Sequence, residues 1–152
     1  MNGSPEPIQS TELKALWKAL DTKPAVVFRA LGTSMHPLYP SGTLFLLEAY
    51  RNQILSIGDM VLIETNSDAI LHRIVQIKGR PPHSITLKGD AKPYPEGPYP
   101  LTSVRAIATH TIENTRLLPL KRGLKALRAN SIARISYFVG LTNRILRKVG
   151  IR

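Results

Sequence analysis

LGTSMHPLYPSG, at residues 31–42, is the stretch on which the fold assignment depends. It begins where a β-rich run at residues 25–31 ends, and it finishes just before a second such run at residues 43–48. Glycine, proline and serine, which recur in this stretch, are the residue types that tight turns require. We therefore predict two short strands joined by a turn that presents the Ser34 side chain outward.

The same pattern continues on the C-terminal side of this turn. Runs of strand length, rich in β-branched residues, alternate with glycine- and proline-rich turn signals. The further runs lie at residues 60–64, 70–77, 84–88 and 104–111, and the turn signals lie at residues 39–42, 57–59, 78–82 and 92–100. Strands at such spacings favour a mainly β fold with an all-β or barrel-like core.

Helical spacing is found only at the two ends of the chain. A short helix, which Ser10 or Thr11 can cap, has an apolar face on which Trp17 is expected to pack against the domain. Ser131 can cap a second helix over residues 132–149 with one apolar side and a basic opposite arc. The predicted organisation is a lead-in with a short N-terminal helix (1–24), a β domain (25–115) and a basic amphipathic helical tail (116–152).

Charge is distributed unevenly along the chain. Residues 1–115 hold 11 Lys and Arg against 10 Asp and Glu, whereas residues 116–152 hold 10 Lys and Arg and no acid, for a net charge of +11. A basic tail with an apolar side predicts contact with an anionic membrane surface or a protein partner. Nucleic acid is not expected as a partner, because an apolar stripe adds little to the affinity of a basic segment for a phosphate backbone. Packing of the tail helix on its own domain is the alternative.

The absence of cysteine, of histidine ligand spacing and of long apolar segments limits the chemistry and the location expected for this chain. The chain has no cysteine, which removes disulfides, thiolate zinc sites and cysteine nucleophiles. His36, His83 and His110 show no ligand spacing, so we expect no metal and no cofactor. No apolar run approaches the roughly 18 to 20 residues that span a bilayer, and no secretory signal is visible. The expected location is cytoplasmic, with peripheral contact at the inner face of the membrane.

Short motifs in a fixed order support the functional assignment. Ser34 alone is most simply a turn residue, but it belongs to a series of motifs. The series is GTSMHP (32–37), Gly42, IGDMV (57–61), LHRIV (71–75) and TLKGDA (86–91). It resembles the ordered signature of the signal peptidase I family over roughly residues 28–110. The resemblance implies a signal peptidase-like β-barrel or coiled β-sheet core, in a variant without the N-terminal membrane span.

The resemblance assigns Ser34 as the nucleophile and His72 as its general base. Bacterial members mostly place a lysine before the Arg-Val/Ile pair, whereas the endoplasmic-reticulum and archaeal type places a histidine there, as this chain does. A serine hydroxyl needs such an adjacent base to attack a peptide carbonyl. Lys88 is a less favoured base, because its Lys-Gly-Asp context resembles the segment that supplies the acid. The expected function is a serine endopeptidase that cleaves a signal- or leader-like peptide or preprotein.

A third group is expected to hold the imidazole in the correct tautomer. Asp90 is the preferred acid, and Glu96 is the alternative, because histidine-type members carry a second acid about six residues after the first. Backbone N–H groups of Ser34 and Met35 are expected to bind the oxyanion, since Gly32 stands where many members have a serine.

Two other function classes are weighed against the peptidase. Self-cleaving repressors of the related superfamily use a serine-lysine pair, a DNA-binding head and an Ala-Gly or Cys-Gly bond, and neither dipeptide occurs in this chain. A non-catalytic peptide- or membrane-binding module of the same fold is the alternative that stays open.

Overall fold

The computed structural model describes residues 10–66 and 68–121 of the chain. Within them the protein is mainly β, with one α-helix and one antiparallel sheet of eight strands. The elements are α1 (Ser10–Thr22), β1 (Ala25–Arg29), β2 (Leu44–Ala49), β3 (Met60–Glu64), β4 (Ala69–Lys78), β5 (Ser84–Lys88), β6 (Glu96–Pro100), a 3-10 turn (Leu101–Ser103), β7 (Val104–Glu113) and β8 (Arg116–Pro119).

The strand order in the sheet is β1-β2-β7-β3-β4-β5-β6, and β8 also pairs with β7. The long strand β7 organises the sheet, because β2 pairs along most of its length while β3 and β8 pair with successive parts of it. Among the described strands β1 and β6 end the order, so the pairing there is that of an open sheet. The mainly β character expected from the sequence is confirmed, and in the described residues the core consists of one antiparallel sheet with two packed faces.

Strand β3 shows how both faces of the sheet are buried. Successive side chains of a strand point to opposite faces. Met60 and Leu62 belong to one buried cluster, and Val61 and Ile63 belong to the other. A strand covered on both faces is apolar throughout rather than alternating, which explains the uninterrupted apolar run in MVLIE. Strand β4, which carries the candidate base His72, pairs with β3 and contributes to both clusters.

Helix α1 covers one face of the sheet and is tied to it by one arginine from a strand and one from a loop. Leu20 is buried in the first apolar cluster, and Trp17 packs against it. The Arg105 guanidinium lies 5.2 Å from the centre of the Trp17 ring and 2.8 Å from Asp21. Arg51 donates a 2.8 Å hydrogen bond to the Leu20 carbonyl near the end of the helix. Trp17 thus has the packing role that the sequence predicted.

Two strands lie where the sequence indicated other structure. The proline-rich segment at residues 92–100 contains β6, which is tolerated because this strand lies at the end of the strand order, where missing proline N–H groups break few ladder bonds. Asn114 and Thr115 both have positive φ, 47° and 65°, and turn the chain back so that β8 pairs with β7. The sheet therefore continues past residue 115. The helix predicted over residues 132–149 lies outside the described residues.

Candidate active site

Ser34 lies in the loop that follows β1. Gly32 opens the loop with a φ of 95°, in the left-handed region that favours glycine, and its N–H donates to Ser41 Oγ at 3.1 Å. The Gly42 N–H closes the loop by donating to the Ala30 carbonyl at 2.8 Å. Within the loop the Met35 side chain is buried in the first apolar cluster, whereas Ser34 is half-buried. The loop is thus anchored by its neighbours and leaves the Ser34 hydroxyl accessible.

His72 brings its imidazole to this hydroxyl from the middle of the sheet. It lies on β4 opposite Val61 of β3, and its side chain is buried. Nε2 of His72 is 3.0 Å from Ser34 Oγ, although 38 residues separate the two in sequence. When the ring proton is on Nδ1, the hydroxyl donates to Nε2, which is the starting geometry for general-base catalysis. The two residues assigned as nucleophile and base are therefore in hydrogen-bonding contact.

The segment after β5 fixes these two side chains against each other. The Ala91 N–H donates to the Ser34 carbonyl at 2.8 Å. A Cβ on Gly89 would lie 2.8 Å from the Ser34 carbonyl oxygen and 3.0 Å from His72 Nε2. Position 89 therefore accepts only a residue without a side chain, which explains the glycine of the TLKGDA motif in physical terms.

Asp90 does not face His72 as the preferred acid was expected to do. Its two carboxylate oxygens accept hydrogen bonds from Arg73, at 3.1 Å from Nε and 3.0 Å from Nη2. Arg73 also donates to the Gly58 carbonyl at 2.8 Å, and both charged side chains are buried. Because neighbouring side chains on a strand point to opposite faces, Arg73 draws Asp90 to the face away from His72. The geometry favours a structural role for Asp90.

Glu96, the alternative acid, faces the other side of the imidazole. Its Oε2 lies 3.6 Å from His72 Nδ1, and its Oε1 is paired with the ammonium of Lys92. Nδ1 is a buried nitrogen that has no hydrogen-bond partner among the residues described. A distance of 3.6 Å is too long for a hydrogen bond, but catalytic contacts of this kind tighten when substrate binds. Ser34, His72 and Glu96 thus form a line through the two ring nitrogens.

The surroundings keep the imidazole neutral. Burial lowers the pKa of His72 below its ordinary value of 6.5. The Glu96 carboxylate acts against burial and raises this pKa, Lys92 lowers it, and Asp90 raises it. The lowered pKa leaves Nε2 unprotonated at neutral pH, which is the state that accepts the serine proton.

Ser34 and His72 line a cleft of about 600 Å³. β1, the Ser34 loop and the first residues of β4 supply mainly apolar walls, and the segment after β5 supplies Lys92 and Glu96. The larger apolar side chains at the cleft are Phe28, Leu31, Met35, Tyr39, Ile70 and Leu71. Because β4 pairs with β5 only from Arg73 onward, its residues 69–72 have no strand partner on that side in the described part of the sheet. An extended chain can pair with such an edge.

Other sequence candidates lie away from the Ser34–His72 contact. Lys88, the alternative base, is on β5 opposite Arg73 and does not line the cleft. Within residues 10–66 and 68–121, no group of three or more His, Asp or Glu side chains is placed to hold a metal ion. Lys92 and the role of Arg73 were missed in the sequence analysis. The only sequence signal for Lys92 is its spacing of four residues from Glu96.

Comparison of the chain with protein-family models, curated proteins and solved structures gave no match. The resemblance to the signal peptidase I family therefore rests on the ordered motifs alone. Among the described residues, no helix is long and apolar enough to cross a bilayer.

Proposed function

We propose that this protein is a serine endopeptidase of the signal peptidase I type, with Ser34 as nucleophile, His72 as general base and Glu96 as orienting acid. The observation that supports this proposal most directly is the 3.0 Å contact between Ser34 Oγ and His72 Nε2. Turn serines and buried histidines are common separately, but their contact in the lining of a cleft is the arrangement that nucleophilic catalysis needs.

The reaction follows from this line of three residues. Ser34 Oγ attacks the peptide carbonyl as its proton moves to Nε2, and the resulting imidazolium gives that proton to the leaving amine. An ester on Ser34 remains. A water molecule then attacks the ester, its proton passes through His72 back to Ser34 Oγ, and the peptide carboxylate is released. The Glu96 carboxylate stabilises the imidazolium that forms in each half of the cycle.

The oxyanion of the tetrahedral intermediate is held by the backbone N–H groups of Ser34 and Met35. Neither N–H donates a hydrogen bond to another described residue, so both remain available to a ligand. Gly32 supplies no side-chain donor at the position where many family members carry a serine. Stabilisation then rests on the two backbone donors, each of which is worth about 10²- to 10³-fold in rate.

The substrate is an extended segment of peptide or preprotein, with a signal- or leader-like sequence. Two features support this class: the unpartnered edge of β4 at residues 69–72, and the apolar walls of the cleft. Main-chain pairing with the edge positions the scissile bond whatever the sequence of the peptide. The apolar walls of the cleft then select which peptide side chains fit. The family resemblance implies small residues beside the cleaved bond.

A degenerate peptide library incubated with the purified chain tests the proposal, with cleavage read by mass spectrometry. The wild type is expected to cut a subset of peptides at defined bonds, and Ser34→Ala is expected to cut none. Ser84→Ala, a serine change on β5, is the matched control and retains cleavage. Cleavage by Ser34→Ala equal to that of the wild type would exclude Ser34 as the nucleophile.

The second candidate function is a non-catalytic module that binds peptides or membranes. The 3.6 Å gap between His72 Nδ1 and Glu96 Oε2 favours it, because the structure lacks one hydrogen bond of an assembled triad. This candidate predicts that wild type and Ser34→Ala bind the same library peptides with equal affinity and that neither cleaves them. Binding accompanied by cleavage in the wild type alone supports the peptidase.

Peripheral contact with the inner face of the membrane is a further part of the proposal, and it rests on the sequence of the basic tail. Each basic residue near an anionic surface adds on the order of 1 kcal/mol of attraction. In the full chain, replacing Arg144, Arg147 and Lys148 together by alanine is expected to release the protein from phosphatidylserine vesicles in co-sedimentation. The matched control replaces Lys14, Lys18 and Lys23 in and just after α1. Equal sedimentation of all three proteins contradicts membrane contact through the tail.

A further inference from the structure

The carboxylate of Glu96 is shared between a cation and the candidate base. Its Oε1 is paired with the Lys92 ammonium, while its Oε2 lies 3.6 Å from His72 Nδ1. A glutamate side chain has three rotatable bonds, so an unrestrained carboxylate samples many orientations. With one oxygen held by Lys92, the other is directed at the ring nitrogen.

The backbone between the two charged residues favours this pairing. They are separated by Pro93, Tyr94 and Pro95, and each proline fixes φ near −65°. The Lys92 N–H donates to the Gly89 carbonyl at 3.0 Å, which ties this segment to the glycine that packs against His72. The ion pair therefore forms across a short, stiff segment whose start is attached to the site.

The solvent exposure of the Lys92–Glu96 ion pair indicates how much it contributes to folding stability. The Lys92 side chain is 44% exposed and that of Glu96 is 25% exposed. Ion pairs at such partly exposed positions add little to folding stability because water screens them. The ion pair can still orient the Glu96 carboxylate, because a contact that adds little to the free energy of unfolding can nevertheless restrict where the two oxygens lie.

We propose that Lys92 is a positioning residue of the active site: by holding Glu96 Oε1, it directs Oε2 toward His72 Nδ1 and so orients the base toward Ser34. This inference rests on the proposed peptidase function. It adds Lys92 to Ser34, His72 and Glu96 as a residue that acts through Glu96 and does not touch the reacting atoms.

Lys92 also changes the protonation of the base, which provides a readout independent of cleavage. The charged groups that act on His72 are Glu96, Lys92 and Asp90, the last of them paired with Arg73. Lys92 lowers the pKa of His72, whereas the two carboxylates raise it. Because Lys92 holds Glu96 beside the ring, Glu96→Gln is expected to lower the pKa of His72 more in the wild type than in the Lys92→Met background.

The experiment compares Lys92→Met, Lys92→Arg and the control Lys78→Met, which removes an exposed lysine from the far end of β4. NMR titration of the imidazole resonances, assigned with His72→Gln, reports the pKa of His72. Adding Glu96→Gln is expected to lower this pKa in the wild type, in Lys92→Arg and in Lys78→Met by similar amounts, and to lower it less in Lys92→Met. On a library peptide that the wild type cleaves, Lys92→Met is expected to lower kcat about fivefold with KM changed less than about twofold, and Lys92→Arg restores kcat.

An effect of Glu96→Gln on the pKa of His72 that is as large in Lys92→Met as in the wild type overturns the inference. Full cleavage by Lys92→Met, or a failure of Lys92→Arg to restore kcat, overturns it as well. If the wild type cleaves no peptide, the peptidase proposal fails, and the titration still decides whether Lys92 acts on His72 through Glu96. A melting temperature of Lys92→Met equal to that of Lys78→Met shows that the change is local.

Discussion

His72 and Glu96 face each other with Nδ1 of the imidazole 3.6 Å from Oε2 of the carboxylate. Glu96 begins β6, which pairs with β5, and His72 lies on β4 on the other side of β5. The acid and the base are therefore held by strands of one sheet. This placement brings Glu96, rather than Asp90, next to Nδ1 of the imidazole.

Glu96→Gln is expected to lower kcat on the order of 100-fold, because a neutral amide stabilises the imidazolium poorly and can select the wrong tautomer. The measurement is kcat and KM on a peptide that the wild type cleaves. Glu48→Gln, which changes an exposed glutamate on β2, is the control and keeps wild-type kcat. Full activity of Glu96→Gln would remove Glu96 from the catalytic line.

Asp90→Asn is expected to act on stability more than on catalysis. It leaves the buried Arg73 guanidinium without its bidentate partner, and breaking a buried ion pair costs about 3 to 5 kcal/mol. Denaturant unfolding measures this loss. The double variant Arg73→Met/Asp90→Asn is expected to lose less than the sum of the two single variants, because the two side chains form one interaction.

The ranking of the two acids is the decisive outcome. At a temperature where both variants are folded, kcat is expected to be lower for Glu96→Gln than for Asp90→Asn. The reverse ranking would return the orienting role to Asp90, the acid that the sequence analysis preferred.

Gly89→Ala is expected to lower kcat about 100-fold, since misplacement of reacting groups by about 1 Å has effects of that size. The added Cβ would lie 2.8 Å from the Ser34 carbonyl oxygen, which is main chain and cannot rotate away. Gly42→Ala is the control: its φ of +91° strains an added side chain, but nothing lies within 4 Å of the Cβ. The control is expected to lose stability while keeping kcat per folded molecule. Equal kcat for wild type and Gly89→Ala would show that the contact has no role in catalysis.

The sequence was sufficient for the features that depend on local pattern. Each of the six runs identified there overlaps a strand of the sheet, and β3 and β5 match their runs at both ends. The ordered motifs also selected Ser34 and His72, which the structure places in contact. The order of the motifs along the chain could identify these two residues because each lies in its own motif, Ser34 in the loop after β1 and His72 on β4.

The choice between the acids depended on information that the sequence does not hold. Asp90 and Glu96 follow the same glycine, and their spacing does not show which one turns toward the imidazole. The pairing of Asp90 with Arg73 depends on the alternation of side chains along β4, and Glu96 is positioned by the register of β6. Composition predicted no strand at β6, because its prolines are tolerated only at the edge of a sheet.

The pH profile of cleavage is expected to follow the titration of His72. The base must be neutral to accept the Ser34 proton, so kcat/KM falls as the pH drops through the pKa of His72 in the folded, unliganded protein. Burial holds this pKa below 6.5, and the acid limb of the profile is therefore expected below pH 6.5. The two neighbours of the ring shift the limb in opposite directions. Removing the Glu96 charge takes away an interaction that raises the pKa, so Glu96→Gln moves the limb to lower pH.

Lys92→Met removes a positive charge that lowers the pKa of His72 and also releases the carboxylate that raises it, so its limb is expected at higher pH than that of Glu96→Gln. Measuring kcat/KM of wild type and both variants between pH 4 and 8, at constant ionic strength, tests this pair of shifts. A limb that stays in place in both variants would mean that a group other than His72 controls the rate. A limb of Lys92→Met at lower pH than that of Glu96→Gln would show that the shifts are not electrostatic, because Glu96→Gln keeps the positive neighbour of the imidazole and loses the negative one, whereas Lys92→Met does the reverse.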